Sequence, residues 1–149
     1  MLQFSFKHFT PRDKARVWQF LESLSLETKK YLSLAGTDTR TLYSSFKDGW
    51  EHSFPILLCI EKRVIGMGKL ILFDDYSYIG CLVVSDEYQH KGYGSRIVKY
   101  LCALSLLNNR TRVLTEVMRE NTKALNFFKR LGFRVIKENL WTYTLEKRL

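Results

Sequence analysis

Hydrophobic and polar positions change period several times along this chain. Leu2, Phe4 and Phe6 alternate with Gln3, Ser5 and Lys7, a period of two that predicts a strand with one buried face. Thr10-Pro11-Arg12-Asp13 reads as a helix start: Thr10 caps, Pro11 takes the first helical position and an acid sits in the first turn. Val17, Trp18, Leu21 and Leu24 mark one face of that helix. Ser25 caps a second short helix carrying Leu26, Tyr31 and Leu32. Thr39 opens a third, through Leu42, Tyr43 and Phe46 to Gly49. Apolar runs at residues 55–60, 64–73 and 76–84, separated by Glu61-Lys62-Arg63 and Asp74-Asp75, predict three strands in an antiparallel meander. Gly66 and Gly68 inside the middle strand predict a bulge or the close approach of another element.

The pattern then returns to the helical period. Ile97, Val98, Leu101, Cys102 and Ser105 lie on one face, extending to Leu104 and Leu106, and Asn108-Asn109 ends the segment. Residues 113–118 form a short apolar strand. Strand, long helix and strand imply a parallel crossover. Asn121 caps a further helix on which Leu125, Phe128 and Leu131 share a face, with Gly132 as its terminator. Residues 133–136 and 140–145 close the chain as a hairpin turning at Glu138-Asn139. The order β, two or three α, three β, α, β, α, two β predicts a mixed α+β sheet with helices on both faces.

Composition narrows the class. With 149 residues, 46% hydrophobic and 14% aromatic, the chain has enough apolar surface for one folded domain and is not disordered. The net charge of +9 favours anionic partners such as nucleic acid, a membrane surface or a polyphosphate. Its Lys and Arg residues form no basic block. Cys59, Cys81 and Cys102 each sit in an apolar run without metal-ligand spacing. They read as buried free thiols, which suits a reducing cytoplasm. No signal peptide and no membrane span is expected.

The stretch with chemistry is Gln89-His90-Lys91-Gly92-Tyr93-Gly94, between an apolar strand and the long helix. A helix start carries N–H groups without intrahelical partners at its positive dipole end, and phosphates bind there when the backbone is approachable. Gly92 and Gly94 leave it approachable, and Lys91 adds a point charge. The third glycine of the dinucleotide fingerprint and the Gly-Lys-Ser/Thr of nucleoside-triphosphate loops are both absent.

The residues from Leu82 to Gly94 resemble the acyl-coenzyme-A signature of the GNAT superfamily of N-acetyltransferases, Gln/Arg-x-x-Gly-x-Gly/Ala between a strand and a helix. The stretch from Glu116 to Phe133 resembles that superfamily's second signature, Asn-x-x-Ala-x-x-Phe/Leu-Tyr-x-x-x-Gly-Phe. The resemblance implies a mostly antiparallel sheet of about seven strands, single-domain over residues 1–149. It implies acetyl-CoA as the acyl donor and a primary amine as acceptor, attacking the thioester directly. Backbone groups of Leu82, Val83 and Val84 would hold the pantetheine arm where two strands part. Gln89, His90, Lys91, Gly92, Tyr93, Gly94 and Ser95 would receive the pyrophosphate, and Asn121, Ala124, Phe127 and Phe128 would line the thioester end.

Glu116 is the first candidate base, beside the diverging strands; it reads equally well as a surface acid. Tyr78 stands where lysine-acetylating relatives carry a catalytic glutamate, which argues against copying their mechanism. Asp74, Asp75 and Glu120 are weaker choices. Many relatives carry a tyrosine acid four residues before the glycine; here that residue is Phe128, which cannot donate a proton. Tyr88, Tyr93 and Tyr143 are poor substitutes. A coenzyme-A-binding module with weak or no catalysis is therefore the alternative. A basic nucleic-acid-binding domain has only its charge in favour, with none of the usual motifs. The superfamily often dimerises through its C-terminal hairpin.

Overall fold

The computed structural model describes residues 3–34, 40, 43, 44, 46 and 52–149. The elements run β1 (Phe4–His8), α1 (Lys14–Glu22), α2 (Leu26–Leu34), β2 (Ser53–Ile60), β3 (Arg63–Leu72), β4 (Ser77–Val84), α3 (Tyr93–Leu107), β5 (Arg112–Met118), α4 (Thr122–Arg130), β6 (Arg134–Glu138) and β7 (Thr142–Arg148). A single 3₁₀ turn at Pro11–Asp13 precedes α1, and another at Asp86–Tyr88 follows β4. Arg40, Tyr43, Ser44 and Phe46 are helical, as the third N-terminal helix requires. The predicted ends of that helix at Thr39 and Gly49, together with Leu2, lie outside the described residues.

All strands join one seven-stranded sheet in the order β1-β2-β3-β4-β5-β7-β6. Every neighbouring pair is antiparallel except β4 and β5. This is the mixed, mostly antiparallel architecture expected. On one face α3 and α4 pack Ile97, Val98, Leu101 and Phe128 against Ile65, Leu70, Ile79, Val113 and Leu145. On the other, α1 sets Val17, Phe20 and Leu21 against Leu57, Cys59 and Met67. Burying one such aliphatic side chain contributes roughly 2 kcal/mol. Two cores, one per face, therefore hold the sheet from both sides.

The entry to α1 is fastened electrostatically. Fully buried Asp13 accepts from the Thr10 N–H at 2.9 Å and from Lys7 Nζ at 2.6 and 2.7 Å, and it pairs with Arg16. Burial alone would raise its pKa, but the bonds from Lys7, Thr10 and Arg16 outweigh it and hold the carboxyl at about 2.

Leu26, which opens α2, is 86% exposed, and the side chains of Tyr31 and Leu32 lie outside the described residues. Two expectations need correction. Leu106 is about half exposed, because the buried face of α3 ends at Ser105. The last hairpin is displaced: its turn lies at Asn139-Leu140-Trp141, and β7 begins at Thr142 rather than Leu140. The Asn139 side chain accepts from the N–H groups of Trp141 and Thr142, each at 2.8 Å, and captures the turn there.

Candidate active site

The site begins with a defect in the sheet. Strands β4 and β5 pair only through Ser77↔Val113 and Tyr78↔Leu114; beyond these, β4 runs to Val84 and β5 to Met118 without each other. One cause is a bulge in β4. Met67 faces Val83 and Lys69 faces Gly80, so Cys81 and Leu82 share the place opposite Gly68. Cys81 takes the left-handed conformation, φ 55°, and such bulges bend a strand and increase its twist. Gly68 is needed at this place. A Cβ on it would lie 2.9 Å from Ile97 and 3.1 Å from Leu101, so α3 sits directly on the bulge.

The two strands thus open into a cleft of about 1270 Å³. Among the expected cofactor residues, Leu82, Val83, Val84, Gln89, His90, Gly92, Gly94, Ser95, Asn121, Ala124, Phe127 and Phe128 line it. Lys91 and Tyr93 are not in its wall. Lys91 Nζ lies over the Tyr88 ring at 5.7 Å, and the Tyr93 ring packs edge-on against Phe4 and Tyr88.

At one end stands the start of α3. Gly92 is its N-cap at φ +87°, with open space where a Cβ would stand, and no side chain caps the helix. The N–H groups of Tyr93, Gly94 and Ser95 precede the first intrahelical bond, which Arg96 N–H makes to the Gly92 carbonyl. Gln89 acts differently. Its own N–H bonds the Asp86 carbonyl, and its side-chain amide donates to the Val84 carbonyl at 2.9 Å. Ser85 N–H bonds Ile65 on β3, so alternation turns the Val84 N–H away from β3 and toward the cleft.

A polar network that the sequence did not suggest braces this end. The Asp86 carboxylate accepts from Ser25 N–H at 2.7 Å, Ser25 Oγ at 2.6 Å and Thr28 Oγ1 at 2.8 Å. Burial raises its pKa and these donors outweigh burial, holding the carboxyl below its ordinary value. The start of α2 is thereby tied to the loop before α3. Ser25 was legible only as a helix cap, and a partner 61 residues away from it is not readable from spacing. Across the cleft mouth, Lys123 of α4 reaches Glu27 of α2 at 3.5 Å.

The cleft passes through the sheet. Val113 and Val117 of β5 face the α3–α4 core, so alternation turns Leu114, Glu116 and Met118 to the opposite face. Ser77 Oγ is hydrogen-bonded to Ser105 of α3 and Ile79 is in the same core, so Tyr78 faces away with Glu116. Both candidate catalytic residues therefore line the cleft on one face, while Asn121, Ala124 and Phe128 line it from the other. Burial, then the neighbouring Glu116 carboxylate, pushes the Tyr78 phenol up to about 12. Burial also pushes the Cys81 thiol up to about 11, against the pull of Lys69. Both stay protonated at neutral pH. Asn121 accepts from Ala124 N–H at 3.1 Å and caps α4. Asp74, Asp75 and Glu120 are not in the cleft wall. Among the described residues no group of three or more His, Cys, Asp or Glu could hold a metal, and no helix is long and apolar enough to cross a membrane.

Residues 18–133 match the Acetyltransferase (GNAT) family. The chain belongs to that family. Its sequence is 27% identical over 79 residues to an uncharacterized N-acetyltransferase, YobR, of Bacillus subtilis; the match covers 53% of this chain and about a third (32%) of that relative. The GNAT domain of S. lividans PAT superposes with a TM-score of 0.84 at 18% identity, covering 97% of this chain and 89% of that one. The paia N-acetyltransferase of Thermoplasma acidophilum, solved in complex with coenzyme A, gives 0.80 at 14% identity over 99% of this chain and all (100%) of the other. The ribosomal-protein-S18-alanine N-acetyltransferase of Escherichia coli gives 0.75 at 13% identity, covering 98% and 94%. At these identities the structures establish the shared fold. A GNAT fold is one that supports acetyl-CoA-dependent acyl transfer.

Proposed function

We propose that this GNAT protein is an acetyl-CoA-dependent N-acetyltransferase whose acceptor is a primary amine that attacks the thioester directly. The observation that carries this reading is the cleft between β4 and β5, with an uncapped helix start at one end and Glu116 on its far face. The residues fit the ligand. Open N–H groups at Tyr93, Gly94 and Ser95 suit a pyrophosphate, the unpaired edge of β4 suits an amide-bearing arm, and small Ala124 leaves room beside the thioester. When bound, acetyl-CoA supplies the activated acetyl group.

The protein's own residues deal with protons and charge. An alkyl ammonium has a pKa near ~10.4, so at pH 7 about one molecule in a few thousand is neutral, a deficit of roughly 4–5 kcal/mol. Glu116, exposed on the acceptor face, takes that proton directly or through water. The Val84 N–H points into the cleft and stabilises negative charge developing on the carbonyl oxygen. Cys81 is a thiol rather than a thiolate and is a poor nucleophile, which favours direct attack over an acetyl-cysteine.

Tyr78 is a donor, not a base. Its phenol, at about 12, lies some three to four units above a thiol's pKa of ~8.5, so full transfer to a departing thiolate is uphill by roughly 5 kcal/mol. A hydrogen bond from Tyr78 is the most it offers, and the thiolate takes its proton from solvent. Phe128, buried against Phe127 and Phe133, contributes shape alone. That absence of an acid favours the second reading, a coenzyme-A-binding module with weak or no catalysis. Thiol release from acetyl-CoA, followed across a panel of primary amines, separates the two. Amine-dependent release above background hydrolysis is expected. Tight cofactor binding with no amine-dependent release would leave the module.

A further inference from the structure

The face of the sheet that carries Glu116 continues past it into a cluster of arginines. Strand register places Met118 opposite Thr142, Glu116 opposite Thr144, Leu114 opposite Glu146 and Arg112 opposite Arg148, and directly opposed residues share a face. On β6, Arg134 stands opposite Glu146 and joins them. Glu146 is the centre. Its side chain is only 3% exposed; Arg112 reaches one oxygen at 2.7 Å, while Arg148 and Arg134 approach the other at 3.1 and 3.8 Å. Hydrogen bonding to Arg112, then Arg148, holds its carboxyl below the ordinary value despite burial, so it is ionised.

Among the described residues these three guanidiniums share one carboxylate, a local surplus of two positive charges. Arg112 and Arg148 are directly opposed on neighbouring strands, an arrangement that costs stability for like charges. A local conflict of this kind is expected where a binding demand maintains it. The side chains of Arg134 and Arg148 are 71% and 69% exposed, and α1 covers the β2–β3 part of this face rather than this part. Guanidiniums in such a cluster are suited to carboxylates and phosphates.

We infer that the amine acceptor carries an anionic group, a carboxylate or phosphate, which the Arg112–Arg134–Arg148 cluster holds while its nitrogen lies at Glu116. This rests on the transferase reading and names its substrate class. At about 3.3 Å per residue, the cluster begins two residues from Glu116 along the strands and ends four residues away. Along the strand direction the anion therefore sits roughly 7–13 Å from the nitrogen. The amine meets the Glu116 carboxylate and the anion meets the surplus positive charge, so the acceptor is oriented as well as held.

The test is a comparison of kcat and KM for matched acceptors with acetyl-CoA as donor. One arm uses C-terminally amidated tetrapeptides with Asp, Asn or Lys at the third position. The other uses ω-aminohexyl phosphate against the matching aminoalcohol. In at least one arm the anionic member is expected to be favoured roughly tenfold or more in kcat/KM, chiefly through KM, and less so at high salt. The favoured arm identifies the source as a peptide carboxylate or a small phosphate. In an Arg134→Gln/Arg148→Gln variant that preference is expected to collapse, with acetyl-CoA affinity by calorimetry and the melting temperature as controls on the fold. Turnover without preference in either arm, or a preference that survives the double substitution, overturns the inference and leaves the transferase reading intact. No turnover with any acceptor removes the transferase reading and the inference together.

Discussion

The Thr115 hydroxyl donates to the Ile79 carbonyl at 2.9 Å, one residue beyond Tyr78 and Leu114, the last paired residues of β4 and β5. Both residues are buried. A side chain thus stands where a backbone ladder bond would otherwise continue, and it satisfies a carbonyl that the parting strands leave behind. Thr115→Val keeps the shape and removes the donor. An unsatisfied buried carbonyl costs about 1–3 kcal/mol, so urea unfolding should show a loss in that range. Acetyl-CoA affinity should fall with it, because the vertex of the cleft loses its fixed spacing.

Glu116→Gln is expected to lower kcat by roughly 10²-fold or more with little change in acetyl-CoA affinity. Tyr78→Phe should have a smaller effect, since a phenol at about 12 serves only as a donor. The pH–rate profile of the wild type should accordingly show no limb from Tyr78 below pH ~10. A kcat unaltered in Glu116→Gln would move the base elsewhere.

Asp13 sets part of the acid stability. Its folded pKa of about 2 lies below its ordinary 3.8. The stabilisation is therefore complete above that ordinary value and disappears as pH falls through it toward the folded one. Asp13→Asn should cost roughly 2 kcal/mol at neutral pH and little near pH 2, measured by denaturant unfolding across that range. An equal loss at both pH values would assign the effect to packing rather than to charge.

How much of this was legible depended on the range of the interaction. Helix faces and strand alternation are local, so Val17, Leu21, Ile97 and Leu101 could be placed from periodicity and are buried. Asn121 and Gly92 are local too, as cap residues at helix starts. Leu140 misled because an apolar residue near a strand reads as part of it. The competing bonds to Asn139 hold it in the turn, 76% exposed, beside Trp141 at 66%. Thr115 and Asp86 were illegible for a different reason. Their partners, Ile79 and Ser25, are distant in sequence, and ordinary polar residues gain these roles only once the sheet and α2 are assembled. The arginine cluster is likewise a product of register: nothing in the order of Arg112, Arg134 and Arg148 brings them together until β6 and β7 pair.

Calorimetric titration of acetyl-CoA into the wild type and into Gly92→Glu tests most directly whether the cleft between β4 and β5 is a coenzyme site. Gly92 faces open space at φ +87°, so a side chain there strains the backbone by about 1–2 kcal/mol and places a carboxylate at the helix start without a clash. One-site binding at micromolar affinity by the wild type, lost in a Gly92→Glu protein that still unfolds cooperatively, is the predicted result. No binding by the wild type, or equal binding by both proteins, would contradict it.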